Sequence, residues 1–126
     1  MIIKPVELKD LKTILELQYL AFQKEAKEYN DFEIEPLTQT LEDLKKEFET
    51  YTYLKALDED GRIIGSTRGY IKKGTSYISK TFVHPDYQGK GIGTQLIATL
   101  ESLNVAPRYE INASIRCPLN IKYMNG

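Results

Sequence analysis

The sequence predicts one mixed α/β (α+β) domain in which an antiparallel meander of strands precedes a parallel strand–helix–strand crossover, with helices on both faces of the sheet. Two observations predict the meander. The apolar pattern changes from a helical period to extended, β-rich segments after residue 50, and turn-forming tetrapeptides at 58–61 and 72–75 separate those segments. A third observation predicts the crossover. The helical pattern at 93–103 lies between the extended segments 76–83 and 109–115, so those two strands are expected to be parallel.

The N-terminal part carries a short strand and then a long helix. Residues 1–6 form the predicted strand, and Pro5 restricts it to a sheet margin or a strand end. From Asp10 to about Tyr29 the pattern is that of an amphipathic helix. The apolar residues on its predicted core face are Leu11, Ile14, Leu15, Phe22 and Ala26.

A second helix is predicted after Pro36, where apolar residues again recur at a helical spacing. Thr40 with Asp43 resembles a capping box, and Thr38 is an alternative N-cap. The apolar residues of this segment are Leu37, Leu41, Leu44 and Phe48.

The composition excludes several classes of protein. The chain has 126 residues, 17 Lys+Arg, 18 Asp+Glu and a formal net charge of −1, so it has no basic excess for nucleic-acid binding. Cys117 is the only cysteine and His84 the only histidine. An intrachain disulfide, Cys-cluster zinc sites and multi-histidine metal sites are therefore excluded, and no metal is expected. Short apolar runs and a start without a secretory signal predict a cytoplasmic protein that does not enter membranes.

Three alternating glycines, Gly89, Gly91 and Gly93, stand where the predicted strand 76–83 passes into the helix 93–103. Because glycine has no Cβ, a ligand can approach this backbone closely. The first N–H groups of a helix have no partner inside the helix and form an anion site, which favours a diphosphate. The spacing matches neither a P-loop nor the GxGxxG pattern, and the meander contradicts the all-parallel sheet of a dinucleotide fold.

The segment from Val83 to Gly93 has the pattern V-x-P-x-x-Q-G-x-G-x-G and is followed by Leu96. It resembles, without a mismatch, the acetyl-CoA-binding motif of the GNAT N-acetyltransferases. The order of predicted elements over about the whole chain is also similar to that family. The resemblance implies a single GNAT-like acetyl-CoA-binding domain over residues 1–126. It also implies direct transfer of an acetyl group from a thioester to an amine, without an acyl-enzyme.

The resemblance further implies which residues hold the cosubstrate acetyl-CoA. Phe82 and Val83 would pair with the pantetheine amides like an added strand, and the Val83 N–H would point at the thioester carbonyl. For this, the strand ending at Val83 would part from the strand 109–115, a separation often helped by a bulge. Asn120 would contact pantetheine. The amides that would bind the CoA pyrophosphate are those of Gln88, Gly89, Lys90, Gly91, Ile92, Gly93 and Thr94.

For proton transfer, the resemblance implies Tyr123 as the acid that protonates the departing thiolate, one helical turn from Asn120. Many relatives place a glutamate base on the strand equivalent to 76–83, and this chain has none there. Glu33 or Glu35, between the first two helices, could serve as the base directly or through water. Tyr123 as a plain packing residue is the alternative interpretation.

The expected acceptor is a small cationic amine or a peptide amine. The segment 25–35 holds five acidic residues against one lysine, Lys27, and is either an attractive surface for a cation or a solvated helix face. Tyrosines such as Tyr51, Tyr70 and Tyr77 either line an acceptor cleft or reflect strand propensity alone.

The sequence departs from the family at its end, Gly126, because relatives continue with a β-hairpin after the last predicted helix. Without that hairpin the strand 109–115 would expose unpaired N–H and C=O groups unless another chain or segment covers them. Either the sequence is a shortened gene or a fragment, or a homodimer covers this edge, and the homodimer is the expected arrangement. The short C-terminus also keeps open an alternative function, a catalytically inactive CoA-binding or regulatory domain. A nucleotide-phosphate binder is a third, weaker alternative.

Overall fold

The structure, a computed structural model, describes residues 1–29 and 34–111 of the chain. Its strands are β1 (Ile2–Pro5), β2 (Thr52–Leu57), β3 (Ile63–Lys72), β4 (Thr75–Val83) and β5 (Arg108–Ile111). Its helices are α1 (Leu11–Tyr29), α2 (Glu35–Thr38), α3 (Leu41–Phe48) and α4 (Ile92–Leu103). Short 3-10 turns at Leu8–Asp10 and Pro85–Tyr87 precede α1 and α4 respectively.

The five strands form one mixed sheet in the order β1-β2-β3-β4-β5. The pairs β1–β2, β2–β3 and β3–β4 are antiparallel, and β5 runs parallel to β4. The predicted meander and parallel crossover are therefore confirmed. Strand β1 is an edge strand of the sheet, as predicted from Pro5. Of the predicted last strand 109–115, residues 112–115 lie outside the described residues.

Two apolar cores lie on opposite faces of this sheet. Helices α1 and α3 cover one face, where the rings of Phe22 and Phe82 meet edge to face at 5.8 Å. Helix α4 covers the other face with Leu96 and Leu100. Neighbouring residues of a strand point to opposite faces, and Tyr53 and Leu54 accordingly belong to different cores. The predicted helices on both faces are confirmed.

The helical segment predicted after Pro36 begins at Glu35 and forms two short helices rather than one. Gln39 adopts an extended conformation with ψ of 144° and ends α2. Thr40 then caps α3, because its hydroxyl accepts a hydrogen bond from the Asp43 amide at 3.2 Å and its own amide donates to the Asp43 carboxylate at 2.9 Å. The predicted capping box is confirmed, and Thr38 is not the N-cap of α3.

The length and polarity of the described helices show whether any of them could cross a membrane. Among residues 1–29 and 34–111, no helix combines the length and the apolar character that a membrane crossing requires. The longest of them, α1, has 19 residues and includes charged side chains such as Lys12 and Glu16.

Candidate active site

The loop that leaves β4 is held by local hydrogen bonds. His84 Nδ1 accepts from the Asp86 amide at 3.0 Å, and the His84 carbonyl accepts from the Tyr87 amide at 2.9 Å. The Tyr87 hydroxyl donates to Asp58 Oδ2 at 3.3 Å, which ties the loop to the β2–β3 turn. His84 therefore shapes the turn at the end of β4, and its Nδ1 is engaged there.

Helix α4 begins at an open backbone cradle. Gly91 is its N-cap, with a φ of +80°, and Gly89 has the same φ. A Cβ built on either glycine meets nothing within 4 Å. The first backbone hydrogen bond of α4 runs from the Gln95 amide to the Gly91 carbonyl at 3.1 Å. The amides of Ile92, Gly93 and Thr94 precede that bond, so they have no acceptor inside the helix.

The charges near this cradle favour an anion. The partial positive charge of the α4 N-terminus acts on the same space as its free amides. Lys90, in the loop between the two left-handed glycines, places its ammonium 5.4 Å from the centre of the Tyr87 ring. Amides, helix dipole and ammonium together suit the pyrophosphate of a nucleotide-type coenzyme.

At the end of β4, the backbone N–H and C=O groups of successive residues point alternately toward β3 and toward the opposite edge of the strand. The His84 amide donates to the Ile64 carbonyl of β3 at 2.8 Å. Because alternate residues of a strand direct their N–H groups to opposite edges, the Val83 N–H points away from β3. The Val83 carbonyl points the same way and accepts from Gln88 Nε2 at 3.1 Å. Phe82 pairs with β3, and its side chain is buried in the core.

A bulge interrupts β4 at Ser79. Arg68 pairs with Lys80 across the β3–β4 ladder, whereas Gly69 pairs with Ile78, so Ser79 has no partner of its own. The parallel ladder of β4 with β5 is described as far as the pair Ile78–Ile111. The bulge therefore lies where β4 leaves that described ladder. The predicted parting of β4 from the strand beyond Ile111 falls outside the described residues.

Beside the bulge lies an open cavity of about 480 Å³. Three tyrosine rings contact one another in its wall. Tyr51 is tilted against Tyr70 with centroids 4.7 Å apart, and Tyr70 stacks on Tyr77 with centroids 5.1 Å apart. Besides these rings, the described residues that line the cavity are Glu35, Glu47, Ile78, Ser79, Glu110 and Ile111. The cavity thus combines aromatic rings with carboxylates, a lining suited to an organic cation.

Arg68 is fully buried behind this cavity. Its Nη1 donates to Gln18 at 3.0 Å and its Nη2 to Gln39 at 2.6 Å. Its Nε lies 2.9 Å from Glu47 Oε1, at ion-pair distance although the N–H is not aimed at that oxygen. The guanidinium also lies 5.0 Å from the centre of the Tyr53 ring. A buried charge is tolerated only with such partners.

Lys80, on the neighbouring strand β4, is a second buried cation that is paired with a carboxylate of the cavity. Its side chain is 3% exposed, and its Nζ lies 2.5 Å from Glu35 Oε1, on a side chain that is 55% exposed. Burial lowers the pKa of the Lys80 ammonium, and the Arg68 guanidinium lowers it further, while Glu35 opposes both. Glu35 therefore reaches the cavity with one oxygen engaged by a buried cation.

Because the pKa of Lys80 is lowered, the free energy of unfolding changes with pH in the alkaline range. Below that pKa the folded and unfolded chains both hold the proton, and the penalty for burying the ammonium is fully present. Between that pKa and the ordinary value of 10.5, only the unfolded chain holds it, so the folded state gains relative stability. We expect the free energy of unfolding of the wild type, relative to Lys80→Met, to rise over this interval in urea titrations. A difference that stays flat or falls there would contradict this prediction.

The structure brings together only part of the predicted site. Glu35 and Tyr77 line the cavity, and Val83 and the Gln88–Thr94 loop lie at the other end of β4. Glu33, Asn120 and Tyr123 lie outside the described residues, so their predicted roles stay predictions.

Sequence reasoning missed Glu47, Arg68 and Lys80. The available signal was a charged residue in the interior of each of the strands β3 and β4, Arg68 and Lys80, because a charged side chain is almost never fully buried without a partner. Neither strand indicated that the partners of these cations would come from the helical segment at 35–48.

Comparison with known proteins places this chain in a family. The model of the Acetyltransferase (GNAT) family matches residues 11–115, a range that includes the glycine loop, Arg68, Lys80 and the cavity. The chain belongs to the GNAT acetyltransferase family. Acetyl-CoA is the acetyl donor of that family. A comparison with curated proteins finds no match.

Solved structures show the same fold at low sequence identity. A mutant of the BH1408 protein from Bacillus halodurans is 19% identical with a TM-score of 0.75, over 98% of this chain and 87% of that one. The PaiA N-acetyltransferase from Thermoplasma acidophilum, solved with coenzyme A, is 21% identical with a TM-score of 0.66, over 82% and 72%. The aminoglycoside 6'-N-acetyltransferase AAC(6')-IG from Acinetobacter haemolyticus is 16% identical with a TM-score of 0.71, over 99% and 88%. The GNAT fold of this chain is thus shown independently of its motif.

Proposed function

We propose that this GNAT protein is an acetyl-CoA-dependent N-acetyltransferase that moves an acetyl group directly from the thioester to a primary amine. The observation that carries the proposal is a line of backbone donors along one path that have no acceptor among residues 1–29 and 34–111. The amides at the start of α4 lie at one end of this path, and the outward-facing Val83 N–H follows on β4. An extended coenzyme with a pyrophosphate at one end and a thioester at the other needs donors in this order.

In the proposed mechanism, acetyl-CoA supplies the activated acetyl group, and the chain supplies binding and charge stabilisation. The backbone amides from Gln88 to Thr94 bind the pyrophosphate, and the Val83 N–H donates to the thioester oxygen as negative charge develops there. The amine nitrogen forms a bond to the carbonyl carbon, and the carbon–sulfur bond breaks. One proton leaves the nitrogen, with Glu33 or Glu35 as the proposed base, and one reaches the thiolate from the proposed acid Tyr123.

The cavity beside Ser79 is the proposed acceptor site. It adjoins the bulge in β4, a few residues before Val83, and its carboxylates and tyrosine rings suit an amine that arrives as a cation. A solved neighbour named as an aminoglycoside acetyltransferase acts on an amine-bearing compound. The family match and the neighbours named as acetyltransferases lend no support to the alternative of an inactive CoA-binding domain. The homodimer and the cytoplasmic location remain predictions.

Release of free thiol from acetyl-CoA in the presence of a panel of primary amines tests this function. We expect thiol release that depends on the amine and an acetylated product of matching mass. A protein that binds CoA but releases no thiol with any amine would favour the inactive domain. Competition of ATP against CoA in a thermal-shift assay separates the third alternative, because only a general nucleotide-phosphate site would take both equally.

A further inference from the structure

We infer that Glu47 selects the acceptor by binding a second, non-reacting ammonium group, so that the acceptor class is a diamine or a longer polyamine. This inference rests on the proposed function. It concerns a residue on α3 that belongs to neither the glycine loop nor the end of β4, and it assigns the cavity a substrate class on the basis of its charges.

The Glu47 carboxylate is fixed at the cavity wall with acceptor capacity to spare. Its Oε1 accepts from the Tyr53 hydroxyl at 2.8 Å and lies beside Arg68 Nε, and its Oε2 accepts from Gln39 Nε2 at 3.1 Å. A carboxylate offers about four lone-pair positions, and two aligned donors leave part of them free. The side chain is 18% exposed and lines the cavity, so the free capacity faces the space where an acceptor would bind.

In each ion pair beside the cavity, the carboxylate lies on the cavity side and the cation lies on the protein side. Arg68 is 1% exposed behind Glu47, and Lys80 is 3% exposed behind Glu35. Both ion pairs therefore present their negative end to the cavity and keep their positive end in the protein. Glu110 adds a further carboxylate to the lining. Because Coulomb energy falls with distance, a cation in the cavity is attracted by the nearer carboxylates more than it is repelled by the cations behind them.

The aromatic wall suits the carbon chain between two ammonium groups. The ring of Tyr70 stacks on that of Tyr77 at an interplanar angle of 24° and is tilted by 39° against that of Tyr51, so the three rings form one continuous aromatic surface. Methylene groups pack on such a surface.

Attack on the thioester and binding at Glu47 require two different nitrogens. The attacking nitrogen must be unprotonated, because its lone pair forms the new bond to the acetyl carbon. The nitrogen bound to Glu47 is an ammonium and has no free lone pair. One nitrogen cannot do both at once, so the favoured acceptor carries one amine at the thioester and another, still charged, at Glu47.

The test compares linear α,ω-diamines with n-alkylamines of matched carbon number. The wild type should acetylate the best diamine with a kcat/KM roughly 10- to 100-fold above that of its matched monoamine, the ratio expected for one hydrogen bond to a charged group. The monoamine should instead inhibit competitively against the diamine, because its only ammonium occupies Glu47. Equal kcat/KM for the two amines would overturn the inference while leaving the proposed function intact.

Glu47→Gln removes the charge and keeps a carbonyl oxygen for its neighbours. Calorimetric titration should show diamine affinity falling roughly 10- to 100-fold, with affinity for CoA unchanged. Glu42→Gln is the matched control, because Glu42 lies on the same helix with a side chain that is 77% exposed. Diamine affinity unchanged by Glu47→Gln, or no diamine binding by the wild type, would overturn the inference. If Glu47→Gln does not fold, the diamine–monoamine comparison on the wild type decides alone. Failure of the proposed function would look different, namely no thiol release with any amine.

Discussion

Replacement of Gly91 by valine is expected to abolish the stabilisation of this GNAT protein by CoA. Gly91 has a φ of +80°, where a β-branched residue is strained, and its Cβ would extend into the open space at the start of α4. Both effects act on the amides that would bind the pyrophosphate. The wild type should gain about 2.7 kcal/mol of stability at a CoA concentration of about 100 times Kd. The variant should gain none of it, as read from thermal unfolding with and without CoA.

Gly74→Val separates backbone strain from loss of the site. Gly74 has a φ of +78°, and a Cβ there also meets nothing within 4 Å. It precedes β4, at the end of that strand opposite to the glycine loop. This variant should lose a similar amount of intrinsic stability and keep its full response to CoA. A folded Gly91→Val protein that still responds to CoA would contradict the proposed coenzyme site.

Arg68→Met is expected to cause the largest loss of stability, about 3–5 kcal/mol in the free energy of unfolding, the range found when one partner of a buried ion pair is removed. Arg68 is fully buried, and its loss leaves the Gln18 and Gln39 amide oxygens without their cationic donor. It also leaves Glu47 without its buried counter-charge. Urea unfolding monitored by circular dichroism measures the change.

The control for this prediction is Arg62→Met. Arg62 forms an ion pair with Asp58 at 3.4 Å, but its side chain is 73% exposed. Exposed pairs contribute about 0–1 kcal/mol, because water and salt screen them. Equal losses for the two variants would show that the Arg68 network does not stabilise the sheet against α3.

The sequence alone predicts the features that depend on neighbours along the chain. The Thr40–Asp43 capping box, the turn at 72–75 and the helical stripe of α1 each involve residues within a few positions of one another. The glycine loop belongs to this group as well, because an anion site made of backbone amides needs only the right local conformation from Gly89 to Gly93. The family resemblance is therefore visible in the short segment 83–96 by itself.

The partners of the buried cations could not be predicted in this way. Arg68 meets Gln18 from 50 positions away and Gln39 from 29, and Lys80 meets Glu35 from 45. Burial also raises the pKa of the Tyr53 phenol, against the opposing effect of Arg68, through contacts that no local pattern reveals.

The sequence by itself determined the order of the elements, the two-faced sheet and the backbone cradle at the start of α4, because these follow from periodicity and from conformations that individual residues prefer. Only the tertiary structure decided that two cations lie behind the carboxylates of Glu35 and Glu47, and that three tyrosines from different segments contact one another beside them. The physical reason is that such contacts arise from the register of β3 against β4 and from the docking of α2 and α3 against α1. Both depend on how the whole chain packs.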